Sequence, residues 1–333
     1  MRIVYVLESL ELSGGVKVVV EHAEGLAARG HDVTLVTKDA RHGWIPIRVP
    51  VVEVPRFDAA TLPAADVHVA TWFPTVAPTV RAKRAPKIFH FSQGYEAPHP
   101  HTLHRLGEIE EAYRQEIPKI LVSAHLLRDL EGRYPGPFHV LSQAIDAEAF
   151  RPRGGEPAGA RRPATVGVVG PFLAEKKGIG VALRAVERLR AAGRAVVLHR
   201  ASHMPMAPGE PEITPIDDYA HALPAAAMPA WYGALDLLFH PSFDAEGFPL
   251  PPLEAMASGV PVVLTDIPSY APIPRDAAGF VPQGDPGAMA AEAARLLDDA
   301  ALFRARRRRG LEAASTFRLG PVLDRLESIF REG

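Results

Sequence analysis

Short apolar runs alternate with helical patterns along this chain, and that alternation is the feature that most constrains its fold. Residues 3–7 form a first apolar run, an amphipathic helical pattern that stops at Gly30 follows, and residues 33–37 form a second run. The alternation predicts an α/β protein with parallel sheets covered by helices on both faces. Further strands are predicted at residues 51–54, 67–70, 87–92 and 120–123 in the first half, and at 164–169, 195–199, 235–240 and 260–264 in the second.

A segment rich in Gly, Pro and Arg interrupts this alternation at residues 151–163 and has the composition of a linker. The chain has 333 residues, 47% of them hydrophobic, which is enough for two cores. We therefore predict one Rossmann-like domain over residues 1–155 and a second over residues 156–318. An amphipathic helix is predicted for the last segment, residues 319–333.

Charge and cysteine content exclude several classes of function. A net charge of −2 argues against general attraction to nucleic acid, and the absence of Cys excludes disulfides and thiol chemistry. The apolar run at the N-terminus is interrupted by Glu8 and Glu11, so it does not have the pattern of a signal peptide or a membrane span. We expect a cytoplasmic location, with which the absence of Cys is compatible.

The most informative motif lies within residues 240–265, where Glu246 and Glu254 flank a turn that leads into a helix. Pro251 suits the first turn of that helix, and Gly259 suits its end. The free N–H groups at the start of a helix bind phosphate. An ionised Glu accepts hydrogen bonds only, so two of them beside a phosphate are suited to bind the hydroxyl groups of a sugar and a ribose. The motif therefore suggests a site for a nucleotide sugar. For Glu254 alone, compensation of the helix dipole is the alternative.

The string EGFPLPPLEAMASGVPVV resembles the E-x7-E signature of family 4 retaining glycosyltransferases, which have the GT-B fold. The resemblance implies two Rossmann-like domains that face each other across a cleft, with the C-terminal helix crossing back to the first domain. It also implies that Glu246 contacts the transferred sugar and that Glu254 binds the ribose. The backbone amides of Gly247, Phe248 and Leu250 would hold sugar and phosphate.

Pro249 stands where relatives usually carry a glycine and removes one amide donor. The family also carries an N-G-[IV]-D…F-x-P hinge, which residues 141–152 resemble through Ile145, Asp146 and Phe150.

A second loop, residues 168–180, follows a predicted strand and opens a helix, so its amides and lysines are candidates to bind a diphosphate. The family reads close to GR-x-x-x-KG there, and the resemblance gives Lys177 the role of the family lysine. Pro171 stands at the position of the family arginine, so Lys176 or Arg200 would have to compensate. The alternative is that these lysines are solvated loop residues.

In the first half, Gly14 and Gly15 are expected to form a turn that approaches the donor phosphate or the acceptor closely, because glycine has no side chain. A simple tight turn is the alternative. In relatives, a histidine at the end of the strand over residues 87–92 lies near the transferred sugar. Here His90 or Gln93 could take that place, and position favours Gln93.

Other polar clusters are not assigned to the site. His99, His101 and His104 lie on a Pro-rich loop without the constraint a metal site needs, and the resemblance implies an enzyme without metal or cofactor. The basic runs at residues 81–87 and 304–309 are expected to be solvated, with peripheral membrane contact at most. They lack interleaved aromatic residues, which disfavours nucleic-acid binding.

The expected function is transfer of a hexose, with retention, from a nucleotide-diphosphate sugar to a hydroxyl acceptor on a polysaccharide, glycolipid or natural product. Glu246, Lys177 and Gln93 are the expected catalytic residues. Two alternatives stay open at this point: a GT-B sugar-nucleotide epimerase, and a non-catalytic nucleotide-sugar-binding protein.

Overall fold

A computed structural model describes residues 1–97, 100–152, 162–244 and 247–333. The chain divides into two compact units: unit 1 comprises Met1–Ala144 with Leu319–Gly333, and unit 2 comprises Ile145–Arg318. The division therefore falls before Ile145 rather than at residues 155–156, because residues 145–152 pack with the second core. Most of the predicted linker, residues 153–161, lies outside the described residues.

Unit 1 contains a seven-stranded parallel sheet in the order β3-β2-β1-β4-β5-β6-β7. Its strands are β1 Arg2–Leu7, β2 Asp32–Thr37, β3 Val51–Glu53, β4 Val67–Ala70, β5 Lys87–Ser92, β6 Lys119–Leu121 and β7 Phe138–Val140. Its first four helices are α1 Gly14–Ala28, α2 Phe73–Ala82, α3 Leu106–Tyr113 and α4 Ala124–Leu130. β1 is entirely buried after its first residue, as expected for a central strand covered on both faces.

Unit 2 contains a six-stranded parallel sheet in the order β10-β9-β8-β11-β12-β13. Its strands are β8 Ala164–Val169, β9 Val196–Ser202, β10 Asp218–His221, β11 Leu237–His240, β12 Val262–Thr265 and β13 Gly279–Val281. Its helices are α5 Ile179–Ala191, α6 Gly209–Ile213, α7 Met228–Gly233, α8 Pro251–Ala257, α9 Pro286–Asp298 and α10 Ala300–Ala314. The core lies between the sheet and the apolar faces of α5 and α9. Both units are Rossmann-like, which confirms the predicted fold class.

The last helix, α11 Leu319–Glu332, returns to unit 1 as predicted. Its residues Leu323 and Phe330 are buried, and the Phe330 ring lies 5.2 Å from that of Phe89 in β5. Leu323 packs so closely on α1 that a Cβ at Gly25 would lie 2.6 Å from its Cδ1. Lys87 donates hydrogen bonds to the last carbonyl groups of the helix and so satisfies its C-terminal end.

Among the described residues, the helices are all too short or too polar to cross a membrane.

Candidate functional site

In each unit the strand order reverses beside the first strand of the sheet, and ligands of such sheets bind at the carboxyl ends of the strands at that point. In unit 2 the reversal lies between β8 and β11, which are paired neighbours. The loops that follow these strands carry the two motifs found in the sequence. The backbone N–H of Phe243 donates to the carbonyl oxygen of Lys176 at 2.8 Å, so the two loops are joined.

The loop after β8 places both lysines beside the start of α5. Residues Glu175–Lys177 form a short 3-10 turn, and Gly178 follows with a φ of 60°. A Cβ at Gly178 would lie 2.2 Å from the carbonyl oxygen of Pro241, so only glycine fits between the two loops. Burial and the positive charge of Lys177 lower the pKa of His203, which comes directly after β9. Lys177 thus contributes its charge at the carboxyl edge of the sheet.

Arg200 does not have the predicted role of a donor-binding side chain, because it is fully buried. Its Nε donates to Glu210 Oε2 at 2.8 Å, and its Nη1 and Nη2 donate to the carbonyl oxygens of Val168 and Gly170 at 2.7 and 2.9 Å. The guanidinium therefore binds the backbone at the end of β8 from the core side of the sheet. Arg200 therefore does not compensate for the family arginine that Pro171 replaces, because its charge is paired inside the core.

The loop after β11 leads into α8, as predicted. Glu246 lies outside the described residues. Gly247 and Leu250 are buried, while Phe248 is half-buried. Leu250 is the N-cap of α8, and the first two helical residues are prolines. Because prolines have no N–H, the amide donors of this segment are confined to Gly247, Phe248, Leu250 and the third helical residue.

Glu254 lies in the first turn of α8 and is 6% exposed. Its Oε2 accepts a hydrogen bond from the hydroxyl of Tyr232 at 3.0 Å. Tyr232, in α7, is fully buried, and burial together with the charge of Glu254 raises its pKa well above the ordinary value. The phenol stays protonated and donates to the carboxylate. The sequence patterns did not single out Tyr232, since an aromatic residue in a short apolar helix is typical of a core.

In unit 1, Gly14 and Gly15 are the first residues of α1, not a preceding turn as predicted. Ser13 is the N-cap and accepts from the N–H of Val16 at 3.1 Å. Gln93 follows β5, and its Nε2 donates to the carbonyl oxygen of Gly15 at 3.1 Å. The structure therefore brings Gln93 and Gly15 together.

His90, the other candidate at this strand, lies within β5 and is fully buried. Its ring centroid lies 4.8 Å from that of Tyr113. Burial and the charge of Lys119 lower its pKa to about 3, so the imidazole is neutral. This histidine belongs to the core of unit 1.

The remaining polar clusters are the histidines of residues 99–104 and the two basic runs. Within the described part of the chain, no group of three or more His, Asp or Glu side chains is arranged to hold a metal ion. His99 lies outside the described residues. In the basic run of α10, Arg309 pairs with Asp276 at 2.7 Å, and in the other run Arg81 pairs with Glu111 at 2.7 Å.

Comparison with known proteins supports the interpretation of unit 2. Residues 163–299 match a family model described as glycosyl transferases group 1. These residues therefore form a group 1 glycosyltransferase domain, a kind of domain found in enzymes that transfer sugars. One curated relative is the lipopolysaccharide core biosynthesis mannosyltransferase LpsB of Rhizobium meliloti, 39% identical over 92 residues. That alignment covers 26% of this chain and 26% of LpsB.

Solved structures extend the similarity to the whole chain, at identities that show the fold alone. Sucrose-phosphate synthase from Thermosynechococcus elongatus is 17% identical with a TM-score of 0.82, covering 99% of this chain and 98% of that one. HepE from Anabaena, solved in complex with UDP-glucose, is 14% identical with a TM-score of 0.80, covering 100% of both chains. The chain has the GT-B fold.

Proposed function

We propose that this protein is a retaining glycosyltransferase that moves a hexose from a nucleotide-diphosphate sugar to a hydroxyl acceptor. The observation that carries the proposal is the joined pair of loops at the carboxyl edge of unit 2. One loop supplies Lys177 and the other leads to Glu254, within residues that match the group 1 model. HepE, which has the same fold, was solved with UDP-glucose, and this supports a nucleotide-sugar donor.

The residues proposed to bind the nucleotide sugar have different roles that follow from their charge. Lys177, with Lys176 beside it, neutralises the diphosphate together with the N–H groups at the start of α5. The amides of Gly247, Phe248 and Leu250 bind sugar and phosphate oxygens. Glu254 accepts from the ribose hydroxyls, and Glu246 takes the transferred sugar, as the E-x7-E resemblance implies.

The chemistry needs no protein nucleophile. The bond between the anomeric carbon and the β-phosphate oxygen breaks, and a bond forms between that carbon and the acceptor oxygen on the same face. The acceptor proton passes to the departing phosphate oxygen, which yields the glycoside and a nucleoside diphosphate. Lys177 stabilises the negative charge that develops on that phosphate. Unit 1 receives the acceptor at its own carboxyl edge, near Gly14, Gly15 and Gln93.

Calorimetric titration with uridine, guanosine and adenosine diphosphate sugars tests the donor site. We expect one of them to bind, and Lys177→Ala to weaken binding about 10- to 150-fold, as expected for the loss of a hydrogen bond to a charged group. Arg194→Ala is the matched control, since it removes a positive charge from unit 2 that pairs with Asp298 on the surface. The control should bind the donor as the wild type does.

Nuclear magnetic resonance of the product tests retention, because the anomeric configuration of donor and product should be the same. Inversion would contradict the proposed mechanism. Epimerised donor formed without an acceptor would instead establish a sugar-nucleotide epimerase. Binding without turnover on any hydroxyl acceptor would establish a binding protein, and binding of none of the nucleotide sugars would exclude all three functions.

A further inference from the structure

Two side chains of the donor segment, Phe248 and Glu254, each contact an aromatic residue from another segment. Glu254 accepts from the hydroxyl of Tyr232 at 3.0 Å. The Phe248 ring lies 5.7 Å from that of Phe317, with 33° between the ring planes. Phe317 is 7% exposed and comes shortly after α10.

These aromatic residues are themselves joined to the segments at which the chain enters and leaves unit 2. The backbone N–H of Ile145, the first residue of the unit, donates to the carbonyl oxygen of Phe317 at 3.0 Å. Phe150, five residues later in sequence, places its ring 5.9 Å from that of Tyr232. Ile145 and Phe150 are both buried. We call the four residues Ile145, Phe150, Tyr232 and Phe317 the crossover cluster.

The contacts form a continuous path from one side of the donor motif to the other. It runs from Phe248 through Phe317 to the segment that begins at Ile145, and from Phe150 of that segment through Tyr232 to Glu254. Protein interiors are densely packed and transmit strain. A displacement of residues 145–150 would therefore move the aromatic partners of both Phe248 and Glu254. The segment 145–152 is the one that resembles the family hinge.

We infer that Tyr232 and Phe317 are positioning residues of the donor site, which hold the Glu254 carboxylate and the Phe248 loop in their binding geometry through the crossover cluster. The inference rests on the proposed function. Tyr232 acts through a single hydrogen bond to a carboxylate, which fixes the orientation of that carboxylate towards ribose hydroxyls. Phe317 acts through packing, which fixes the backbone whose amides bind the donor.

The first test removes only the hydroxyl of Tyr232. We expect Tyr232→Phe to weaken binding of the nucleotide sugar about tenfold, from the loss of one hydrogen bond to a charged group. The effect should appear in KM and leave kcat within about threefold, because ribose binding is the same in substrate and transition state. Tyr134→Phe is the matched control: it removes a hydroxyl that donates to Glu110 at 2.8 Å in unit 1, and it should leave the donor Kd unchanged.

A double-mutant cycle separates positioning from loss of structure. If Tyr232 acts through Glu254, the Tyr232→Phe, Glu254→Gln double variant should bind the donor no more weakly than Glu254→Gln alone. If the two effects multiply, Tyr232 supports the fold of unit 2 independently of the carboxylate and the inference is wrong.

Phe317 is tested without any ligand. We expect Phe317→Leu to increase amide hydrogen exchange across residues 247–258 at least fivefold, because the donor loop loses its packing partner. Phe303→Leu is the matched control, since Phe303 is also buried but belongs to the main core of unit 2. Equal exchange in the two variants would overturn the role of Phe317. If the wild type binds no nucleotide sugar, the proposed function fails and this inference with it. If the wild type binds one and Tyr232→Phe binds it equally well, the inference alone fails.

Discussion

The carboxyl edges of the two sheets differ in how their loops are held. In unit 2, the buried guanidinium of Arg200 holds the carbonyl oxygen of Gly170, and the N–H of Phe243 holds that of Lys176. Each of these bonds joins segments that are distant in sequence. The loops that carry the proposed donor groups are therefore fixed to one another and to the core beneath them.

In unit 1, no arginine among the described residues is buried beneath the corresponding edge. Exposed apolar side chains occur at the edges of both units, and those of unit 2 are Leu173, Met204 and Met206. Trp72, which follows β4, is 38% exposed, and Leu103 and Leu106, which follow β5, are 55% and 39% exposed. A bond from Gln93 to Gly15 joins two of its segments. The donor proposed for unit 2 contains a nucleoside diphosphate, and a preorganised site binds such a ligand with a smaller loss of conformational entropy. The acceptor proposed for unit 1 varies more in chemistry. The family match likewise covers residues 163–299, all within unit 2.

The largest loss of stability is expected from replacing Arg200, the buried residue that binds the backbone at the end of β8. Arg200→Met leaves Glu210 buried without its partner and removes the donors to two carbonyl groups, so unit 2 should lose about 3–5 kcal/mol of unfolding free energy. Urea unfolding followed by Trp231 fluorescence, with Trp44 and Trp72 replaced by Phe, reports on unit 2 alone.

Arg194→Met is the control for this experiment, because it breaks a pair with Asp298 whose partners are 31% and 61% exposed. Such a surface pair contributes about 1 kcal/mol or less. Replacing Glu210 by Leu in the Arg200→Met variant should recover much of the loss. If Arg200→Met and Arg194→Met destabilise unit 2 equally, Arg200 does not stabilise the carboxyl edge of the unit 2 sheet.

Unit 1 should lose stability in acid through two of its buried imidazoles. Burial lowers the pKa of His22 to about 4, and burial with the charge of Lys119 lowers that of His90 to about 3. The folded state keeps both neutral while the unfolded chain binds protons below pH 6.5, so stability is complete above that pH and falls as the pH drops towards 4 and 3. At pH 5 each histidine should already have removed about 2 kcal/mol.

Urea unfolding at pH 7 and pH 5 measures this loss, with Trp231→Phe leaving Trp44 and Trp72 as reporters of unit 1. Neither ring nitrogen of His90 has a hydrogen-bond partner among the described residues, so His90→Leu removes the titration at little cost in polar contacts. It should reduce the difference between the two pH values by about 2 kcal/mol. An unchanged difference would show that His90 does not titrate in this way.

The same contrast between buried and exposed elements explains what the sequence could predict. The bounds of β4, β5 and β8 were predicted residue for residue, because buried parallel strands are continuous apolar runs. β10 was missed, since Asp218–His221 is a short polar strand at the edge of its sheet and has no periodic signal. The sequence also placed the Lys177 loop and the Glu254 motif directly after predicted strands.

Pairing within the core was not predictable. Arg200 and Tyr232 acquire their roles from partners 10 and 22 residues away, which touch them only once helices have packed. A single sequence gives the polarity of such residues but not whether a partner meets them inside the protein. Arg200 was therefore named as a possible donor-binding residue, and Tyr232 was not singled out.

The smallest expected effect concerns the hydrogen bond from Gln93 to Gly15 at the carboxyl edge of unit 1. A Cβ at Gly14 would meet no atom within 4 Å, whereas a Cβ at Gly15 would lie 3.1 Å from Nε2 of Gln93. Gly14→Ala should stabilise unit 1 by about 0.4–1 kcal/mol through a less flexible unfolded chain. Gly15→Ala should be about 1 kcal/mol worse than Gly14→Ala, because Gln93 must move and lose its bond.

Unfolding of both variants in a Gln93→Ala background completes this test as a double-mutant cycle. Without the Gln93 side chain, Gly15→Ala should become as favourable as Gly14→Ala, since both positions are then open helical residues. If the two substitutions differ by the same amount in both backgrounds, Gln93 does not restrain the start of α1. The carboxyl edge of unit 1 would then lack this restraint, and its contrast with unit 2 would be larger than the structure indicates.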